Sequence, residues 1–211
     1  MSRVYVFDMD GTLADSMTAV WGVLPLQFLD DRNIPYPDDL LKRVIALGVP
    51  GLIKYYKEHF DVRETPEEIY TWFVENGRGM YATSIPAKPF AKEKLLALKA
   101  QGASLHILTG SPHVFLDPWV KRVGLEELFD NLWSVDDFPI NKSQPDLYKE
   151  IAKRLGVENA ECVMVDDSNV PLEAAKAAGW KTVGVYDEVS KDNETEMRKI
   201  ADKYIYSFEE L

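Results

Sequence analysis

The 211-residue chain has little cysteine, a deficit of basic charge and no long apolar run. Its one cysteine, Cys162, cannot form an internal disulfide, and its place in the run CVMV predicts a small core residue. The net charge of −11 argues against nucleic acid as a partner, because binding a phosphate backbone requires a clustered surplus of lysine and arginine. No apolar run approaches the roughly 20 residues that span a bilayer, and the N-terminus lacks a signal-peptide layout. We therefore expect no membrane partner and a cytoplasmic protein.

The apolar segments predict an α/β protein built on a parallel sheet. Most of them lack strict alternation, which favours parallel strands buried on both faces. Helical patterns separate them from the second onward, as between Pro145 and Gly156, so we expect a doubly wound, Rossmann-like core. The predicted strands are VYVF (4–7), SLHIL (104–108), LWSV (132–135), CVMV (162–165) and KTVGV (181–185).

The interval between the first two strands is too long for a single crossover and predicts an inserted helical domain. Pro25 should kink or break the first helix of this interval, and a Thr65–Glu68 capping box should begin a later one. We therefore expect a core domain over residues 1–16 and 87–211, and a helical domain over residues 17–86. The buried face of the later helix would include Ile69, Trp72, Phe73 and Met80.

The first strand runs directly into two carboxylates, Asp8 and Asp10, followed by Gly11. Two like charges so close raise the pKa of one group, so one carboxyl can be ionised while its neighbour holds a proton. Gly11 permits a sharp turn whose amides could meet an anion. A calcium-binding EF-hand loop also begins with D-x-D, but it needs Gly at its sixth position and Glu at its twelfth. This chain has Leu13 and Ala19 there, which excludes that reading.

Further polar groups follow the other predicted strands at their carboxyl ends. Thr109 and Gly110 come after the second strand, Lys142 after the third, and Asp166 and Asp167 end the fourth. The segment SPH after Gly110 predicts a helix capped by its serine and opened by its proline, with N-terminal amides that favour an anion. Open α/β sheets bind ligands at this edge. The set therefore favours a phosphoryl-transfer enzyme whose nucleophile is the first aspartate.

These motifs resemble the haloacid dehalogenase-like superfamily. DMDGTLADS, LTGS, NKSQPDLY and VDDSNVPLEAAKAAG are similar to the branch that contains phosphoglycolate phosphatase and β-phosphoglucomutase, and the resemblance covers nearly the whole chain. It implies a helical cap in the inserted segment and a small phosphorylated metabolite as substrate. It also implies that Asp8 forms an aspartyl-phosphate and that Asp10 is the acid–base group.

The same resemblance implies Mg²⁺, a hard cation that prefers oxygen ligands. Its ligands would be Asp8, the backbone carbonyl of Asp10 and Asp167, with Asp166 in an inner or outer shell. The phosphoryl oxygens would be held by Thr109, Gly110 and Lys142.

Substrate specificity in this branch comes from the cap. The turn ALGVPG, residues 46–51, is the expected substrate-facing segment, so Gly48 and Val49 are candidate substrate contacts. A basic cap residue could meet a second charge on the substrate, and a histidine after Thr109 could border the pocket. These further candidates are Arg43, Lys54, Arg78 and His113.

Two alternatives stay open at this point. A sugar phosphomutase of the β-phosphoglucomutase type has a His ten residues after its second Asp, where this chain has Val20, so hydrolysis is favoured. A phospho-acceptor receiver domain also carries an acidic pair, Thr, Lys and an acceptor Asp, but it has no long insertion after its first strand. Dehalogenases and phosphonatases lack an Asp at the position of Asp10, which disfavours their chemistry. The sequence carries no signal for an oligomeric state.

Overall fold

The structure, a computed structural model, describes residues 4–44 and 47–211. The strands are β1 (Val4–Phe7), β2 (Ser104–Thr109), β3 (Asn131–Ser134), β4 (Cys162–Asp166), β5 (Lys181–Val185) and β6 (Lys203–Ile205). They form one six-stranded sheet in the order β3–β2–β1–β4–β5–β6 with all pairings parallel. This order belongs to the doubly wound class, so the predicted fold class is confirmed.

Strand β1 lies inside the sheet, where Val4 pairs with Ser104 of β2 on one side and Cys162 of β4 on the other. Every side chain of β1 is buried because helices cover both faces of the sheet. The order of strands reverses at β1: the chain proceeds to β2 and β3 on one side and to β4, β5 and β6 on the other. Open sheets bind ligands at such a switch point, outside the carboxyl ends of the strands.

The helices that follow β1 in the core divide between the two faces of the sheet. On one face of the sheet, Leu95 and Trp119 from the helices belong to the same hydrophobic cluster as Phe7 of β1. On the other face, Tyr148 and Leu172 belong to the same hydrophobic cluster as Val6 of β1. The helices are α5 (Ala91–Ala100) and α6 (His113–Arg122) on the first face, and α7 (Pro145–Leu155), α8 (Asn169–Ala177) and α9 (Glu194–Ile200) on the second.

The segment between β1 and β2 is helical, as expected. Its elements are a π-helical turn (Met17–Trp21), α1 (Leu24–Asp30), α2 (Leu40–Val44), α3 (Gly48–His59) and α4 (Pro66–Thr83), before α5 leads into the sheet. The first helical pattern breaks before Leu24, and Pro25 lies in the first turn of α1, where its missing N–H costs least. The ring of Phe28 stacks on both Tyr56 and Phe73, with centroid distances of 5.4 Å and 5.7 Å.

The capping box that begins α4 is confirmed: Thr65 accepts from the N–H of Glu68, and the Glu68 carboxylate accepts from the N–H of Thr65. The predicted buried face of α4 was partly wrong. Trp72 and Met80 are only partly buried, whereas the fully buried positions continue in steps of four residues. These positions are Ile69, Phe73, Gly77 and Tyr81.

The predicted strands also need one correction and one addition. β3 covers Asn131–Ser134, one residue earlier than the predicted 132–135, since it pairs with β2 from His106 onward. β6 was not predicted, because its three residues, KYI, carry too little apolar pattern to be recognised. Cys162 is buried and unpaired, as predicted.

Candidate active site

The carboxyl ends of the central strands open into a cavity of about 230 Å³. All four candidate aspartates line it: Asp8, Asp10, Asp166 and Asp167. Thr109, Gly110 and Lys142 line it as well. The structure thus brings together in one cavity the catalytic, phosphate-binding and metal-binding candidates, from four separate segments of the chain.

Three of the aspartates form a compact cluster of carboxylates. One carboxylate oxygen from each of Asp8, Asp166 and Asp167 lies within 4.8 Å of the other two, and all three residues are buried. Carboxylate oxygens are the hard donors that Mg²⁺ prefers, so this donor set fits that ion.

Lys142 is the cation that faces this cluster. Its Nζ donates to Asp8 Oδ1 at 2.6 Å and to Asp166 Oδ2 at 2.7 Å. Burial alone would lower the pKa of Lys142, but the carboxylates of Asp166 and Asp8 outweigh it and raise the pKa above its usual range. The Tyr148 hydroxyl donates to the backbone carbonyl of Lys142 at 2.8 Å. The segment NKSQPDLY therefore acts as a unit: Pro145 opens α7, and the tyrosine on its first turns pins the loop that carries the lysine.

Burial and mutual repulsion shift the titration of the cluster. Burial raises the pKa of Asp8 to about 7; Lys142 opposes the shift, and the charges of Asp166 and Asp10 add to it. Burial likewise raises the pKa of Asp167, with further contributions from Asp166 and Asp8. Since an adjacent cation favours the ionised form of a carboxyl group, a divalent ion at this position would reverse these shifts.

Gly11 and Thr12 of the first motif lie against Asp167, which belongs to the motif VDDSNVPLEAAKAAG. Gly11 has φ +77°, in the left-handed region, and a Cβ at this position would lie 2.3 Å from Asp167 Oδ2. Thr12 is buried, and its hydroxyl donates to Asp167 Oδ1 at 2.9 Å. Glycine is therefore required here both for the backbone turn and for the close approach of a metal-ligand candidate.

Three hydroxyl groups hold the carboxylate of Asp10. Ser16 donates to Oδ1 at 2.6 Å, Ser111 donates to Oδ2 at 2.6 Å, and the Tyr81 hydroxyl makes a short hydrogen bond to Oδ1. The predicted cap role of Ser111 was wrong: α6 begins at His113, so its N-cap residue is Pro112, which has no side-chain acceptor, and the Ser111 hydroxyl donates to Asp10 instead. The orientation of Asp10 thus depends on the inserted segment as well as on the core.

Tyr81 is a site residue that the sequence reasoning missed. It is fully buried on α4, and its ring stacks on Phe115 of α6 with a centroid distance of 4.8 Å. Gly77, one turn earlier, allows this approach, since a Cβ there would lie 2.8 Å from the Phe115 ring. Burial, together with the charge and the hydrogen bond of Asp10, raises the pKa of Tyr81 well above its usual value, so the hydroxyl stays protonated and donates.

Thr109 and Gly110 shape the turn after β2. Thr109 is fully buried, and its Oγ1 accepts from the N–H of Ser111 at 3.0 Å, which leaves the hydroxyl proton available as a donor.

A second buried ion pair lies beyond the aspartate cluster, between Lys88 and Asp187 at 2.9 Å. The charge of Lys88 acts against the raised pKa of Asp167. Sequence reasoning assigned no role to this pair.

The candidate substrate residues divide into two groups. Gly48 and Val49 line the cavity, but the predicted turn over 46–51 was wrong from Gly48 onward, because α3 already begins there; Ala46 lies outside the described residues. Arg43 is paired with Asp39 at 2.8 Å, and His113 lies between Asp117 and Asp137; the described lining of the cavity includes neither residue. The same is true of the exposed Lys54 and Arg78.

Comparisons with known proteins agree with this geometry. The phosphoglycolate phosphatase of Colwellia psychrerythraea is 28% identical over 190 residues, which cover 87% of this chain and 84% of the relative. A phosphorylated carbohydrates phosphatase of Thermotoga maritima is 26% identical over 184 residues, covering 84% and 82%. Among solved structures, a CbbY mutant from Rhodobacter sphaeroides in complex with xylulose-(1,5)bisphosphate shares the fold with a TM-score of 0.86 at 21% identity, covering 100% of this chain and 96% of that one.

Across residues 4–44 and 47–211, every helix is too short or too polar to cross a bilayer. The sequence pattern of the haloacid dehalogenase-like hydrolases matches residues 3–179, well over half of the chain. The protein therefore belongs to the haloacid dehalogenase-like hydrolases, as its motifs predicted.

Proposed function

We propose that the protein is a Mg²⁺-dependent phosphatase that hydrolyses a small phosphorylated metabolite through an aspartyl-phosphate on Asp8. One observation carries this proposal: buried Asp8 contacts Lys142 and neighbours the carboxylates of Asp166 and Asp167 in a cavity. In the proposed mechanism, Asp8 is the nucleophile, Lys142 is the cation for the phosphoryl oxygens, and the carboxylates are metal ligands. The relatives of this chain, phosphatases of phosphoglycolate and of phosphorylated carbohydrates, support the same reaction class.

The proposed reaction has two steps. In the first, a carboxylate oxygen of Asp8 forms a bond to phosphorus, the bond from phosphorus to the substrate oxygen breaks, and Asp10 gives its proton to that leaving oxygen. In the second, Asp10 takes a proton from water, the water oxygen bonds to phosphorus, and the bond to Asp8 breaks. Phosphate and the free Asp8 carboxylate result.

The binding groups have proposed roles in both steps. Lys142, the Thr109 hydroxyl and the Gly110 amide would hold the phosphoryl oxygens, since ammonium, hydroxyl and N–H groups are donors for an anion. Mg²⁺ would be held by Asp8, Asp167 and the Asp10 carbonyl, with Asp166 nearby. When bound, it would neutralise the carboxylate cluster and polarise the phosphoryl group. No single group supplies the whole acceleration, because a positioned acid contributes only about 10²- to 10⁴-fold.

The same proposal assigns residues 1–16 and 87–211 to a core domain and residues 17–86 to a helical cap. The helices between β1 and β2, and their share of the cavity lining, support this division. Val20, at the position where a mutase would carry its histidine, is fully buried and apolar and is not part of the described cavity lining. A proton shuttle at that position is therefore absent, which favours hydrolysis over phosphoryl shuttling.

A phosphate-release screen over small phosphorylated metabolites, with and without Mg²⁺, tests the proposal. Wild-type protein should release phosphate only with the metal, and Asp8→Asn should abolish turnover because an amide is a far poorer nucleophile. Asp61→Asn, an exposed aspartate in the inserted segment, is the matched control and should behave as wild type. A folded Asp8→Asn protein with wild-type activity would refute the nucleophile.

Incubation with β-glucose 1-phosphate separates the two reactions. Free phosphate supports the phosphatase, whereas accumulation of glucose 6-phosphate would support the mutase instead.

A further inference from the structure

The inserted segment contributes a mostly apolar surface to the active-site cavity. Its lining residues with side chains are Met17, Trp21, Pro25, Val44, Val49 and Leu52. Five of these six carry no hydrogen-bonding side-chain group beyond a thioether, and the sixth offers only an indole N–H. The charged groups of the cavity come instead from the core.

Cationic side chains are scarce around this cavity. Within the described lining, Lys142 is the only one, and it already donates to Asp8 and Asp166. The two residues outside the described ranges between α2 and α3 are Ile45 and Ala46, which carry no charge.

The basic residues of the inserted segment are occupied elsewhere or exposed. Arg43 pairs with Asp39 at 2.8 Å, and Lys54 lies 3.9 Å from Glu58 with most of its side chain in solvent. A substrate that carried a second anionic group would therefore bring it against an apolar wall without a described cation to pair with it.

We infer that the substrate is a phosphate monoester whose leaving group is uncharged and largely apolar, an aliphatic or aromatic alcohol. The inference rests on the proposed function and deepens it by naming the substrate class. Burying an unpaired carboxylate is costly, whereas each methylene that leaves water gains about fourfold in affinity. The chain should therefore discriminate against substrates such as phosphoglycolate, whose second acidic group the wall cannot pair, although relatives carry that name.

Matched substrate pairs test this inference with wild-type protein and Mg²⁺. Propyl phosphate and phosphoglycolate are similar in size but differ in the terminal carboxylate, and benzyl phosphate and 4-carboxybenzyl phosphate differ in the same way. We expect kcat/KM to favour the uncharged member of each pair by at least about tenfold. Equal or better turnover of the carboxylates would overturn the inference.

Acetyl phosphate serves as a third arm, because its small leaving group makes little use of the apolar wall. Release of phosphate from acetyl phosphate, combined with a preference for carboxylates, would overturn the inference and leave the proposed function intact. A protein inert toward every substrate would overturn the proposed function and the inference with it.

A charge-introducing variant tests which surface faces the leaving group. Met17→Lys places a cation in the cavity lining at a partly exposed position, and should shift the 4-carboxybenzyl to benzyl ratio of kcat/KM upward by about tenfold. Val23→Lys is the matched control, since Val23 is 46% exposed in the same segment and outside the lining. A Met17→Lys protein that melts as wild type with an unchanged ratio would contradict the inference. If that variant does not fold, the wild-type pairs still decide.

Discussion

Removing one oxygen atom from Tyr81 should weaken catalysis while leaving the fold intact. In Tyr81→Phe the ring keeps its stack on Phe115, but Asp10 loses one of its three hydroxyl donors. A hydrogen bond to a charged group is worth about 1.5 to 3 kcal/mol, and each 1.36 kcal/mol on the barrier is tenfold in rate. We therefore expect kcat to fall by about 10- to 150-fold, because Ser16 and Ser111 alone leave Asp10, the proposed acid–base group, less well oriented.

The assay is steady-state phosphate release with saturating Mg²⁺, together with a thermal melt of each protein. Tyr56→Phe is the control, because Tyr56 is also fully buried in the inserted segment but its hydroxyl donates to the backbone carbonyl of Pro25. That variant should lose some stability and keep its kcat. If Tyr81→Phe turns over as fast as wild type, the hydroxyl does not position Asp10.

Three further predictions concern the turn, the metal and pH. Gly11→Ala should lower Mg²⁺ affinity by at least about tenfold in calorimetric titration, because the new Cβ would displace the Asp167 carboxylate; Gly102→Ala has a similar φ of +81° but open space, and should not. Mg²⁺ at about 100 times its Kd should stabilise wild type by about 2.7 kcal/mol in urea unfolding, and equal stabilisation of Asp167→Asn would contradict its role as a ligand. Burial lowers the pKa of His106 to about 4, below the roughly 6.5 of an unfolded chain, so its contribution to stability falls as pH drops from 6.5 toward 4. In urea unfolding, lowering the pH from 7 to 5 should cost wild type about 1 to 2 kcal/mol more than it costs His106→Gln, since the carboxyl groups with raised pKa contribute equally in both proteins, and the exposed His59→Gln should follow wild type; an identical pH effect in all three proteins would refute it.

The core of the fold was predictable because a strand that is buried on both faces of a sheet has apolar residues at successive positions. VYVF became β1 with every side chain buried, and CVMV became the body of β4. β6 escaped because an edge strand of three residues has one neighbour and needs little apolar surface. Its position depends on pairing with β5, which no local pattern reports.

The core part of the candidate site was predictable for a topological reason. Parallel strands deliver their carboxyl ends to one edge, so residues such as Thr109 and Asp167 could be placed together without coordinates. The hydrogen-bond partners of Asp10 could not be predicted in this way. A serine after a strand can cap a helix or donate to a carboxylate, and only the packing of α6 decides that Ser111 does the latter.

Tyr81 escaped for a related reason. The apolar residues of α4 are compatible with more than one buried face. The predicted face included Trp72 and Met80 and therefore did not coincide with the face that is buried in the structure. A regular step of four residues from Ile69 was the available signal. A tyrosine at the end of that series is a polar tip on a buried face, which usually has a partner.

That step of four also limits how the inserted segment can change in length. Each residue of an α-helix turns the next by 100°, so one residue added between Phe73 and Tyr81 would swing the hydroxyl away from Asp10 while the aromatic cluster stayed in place. Insertions and deletions within α4 would therefore break the contact between Tyr81 and Asp10. The number of residues between Phe73 and Tyr81 thus sets where the Tyr81 hydroxyl lies relative to Asp10.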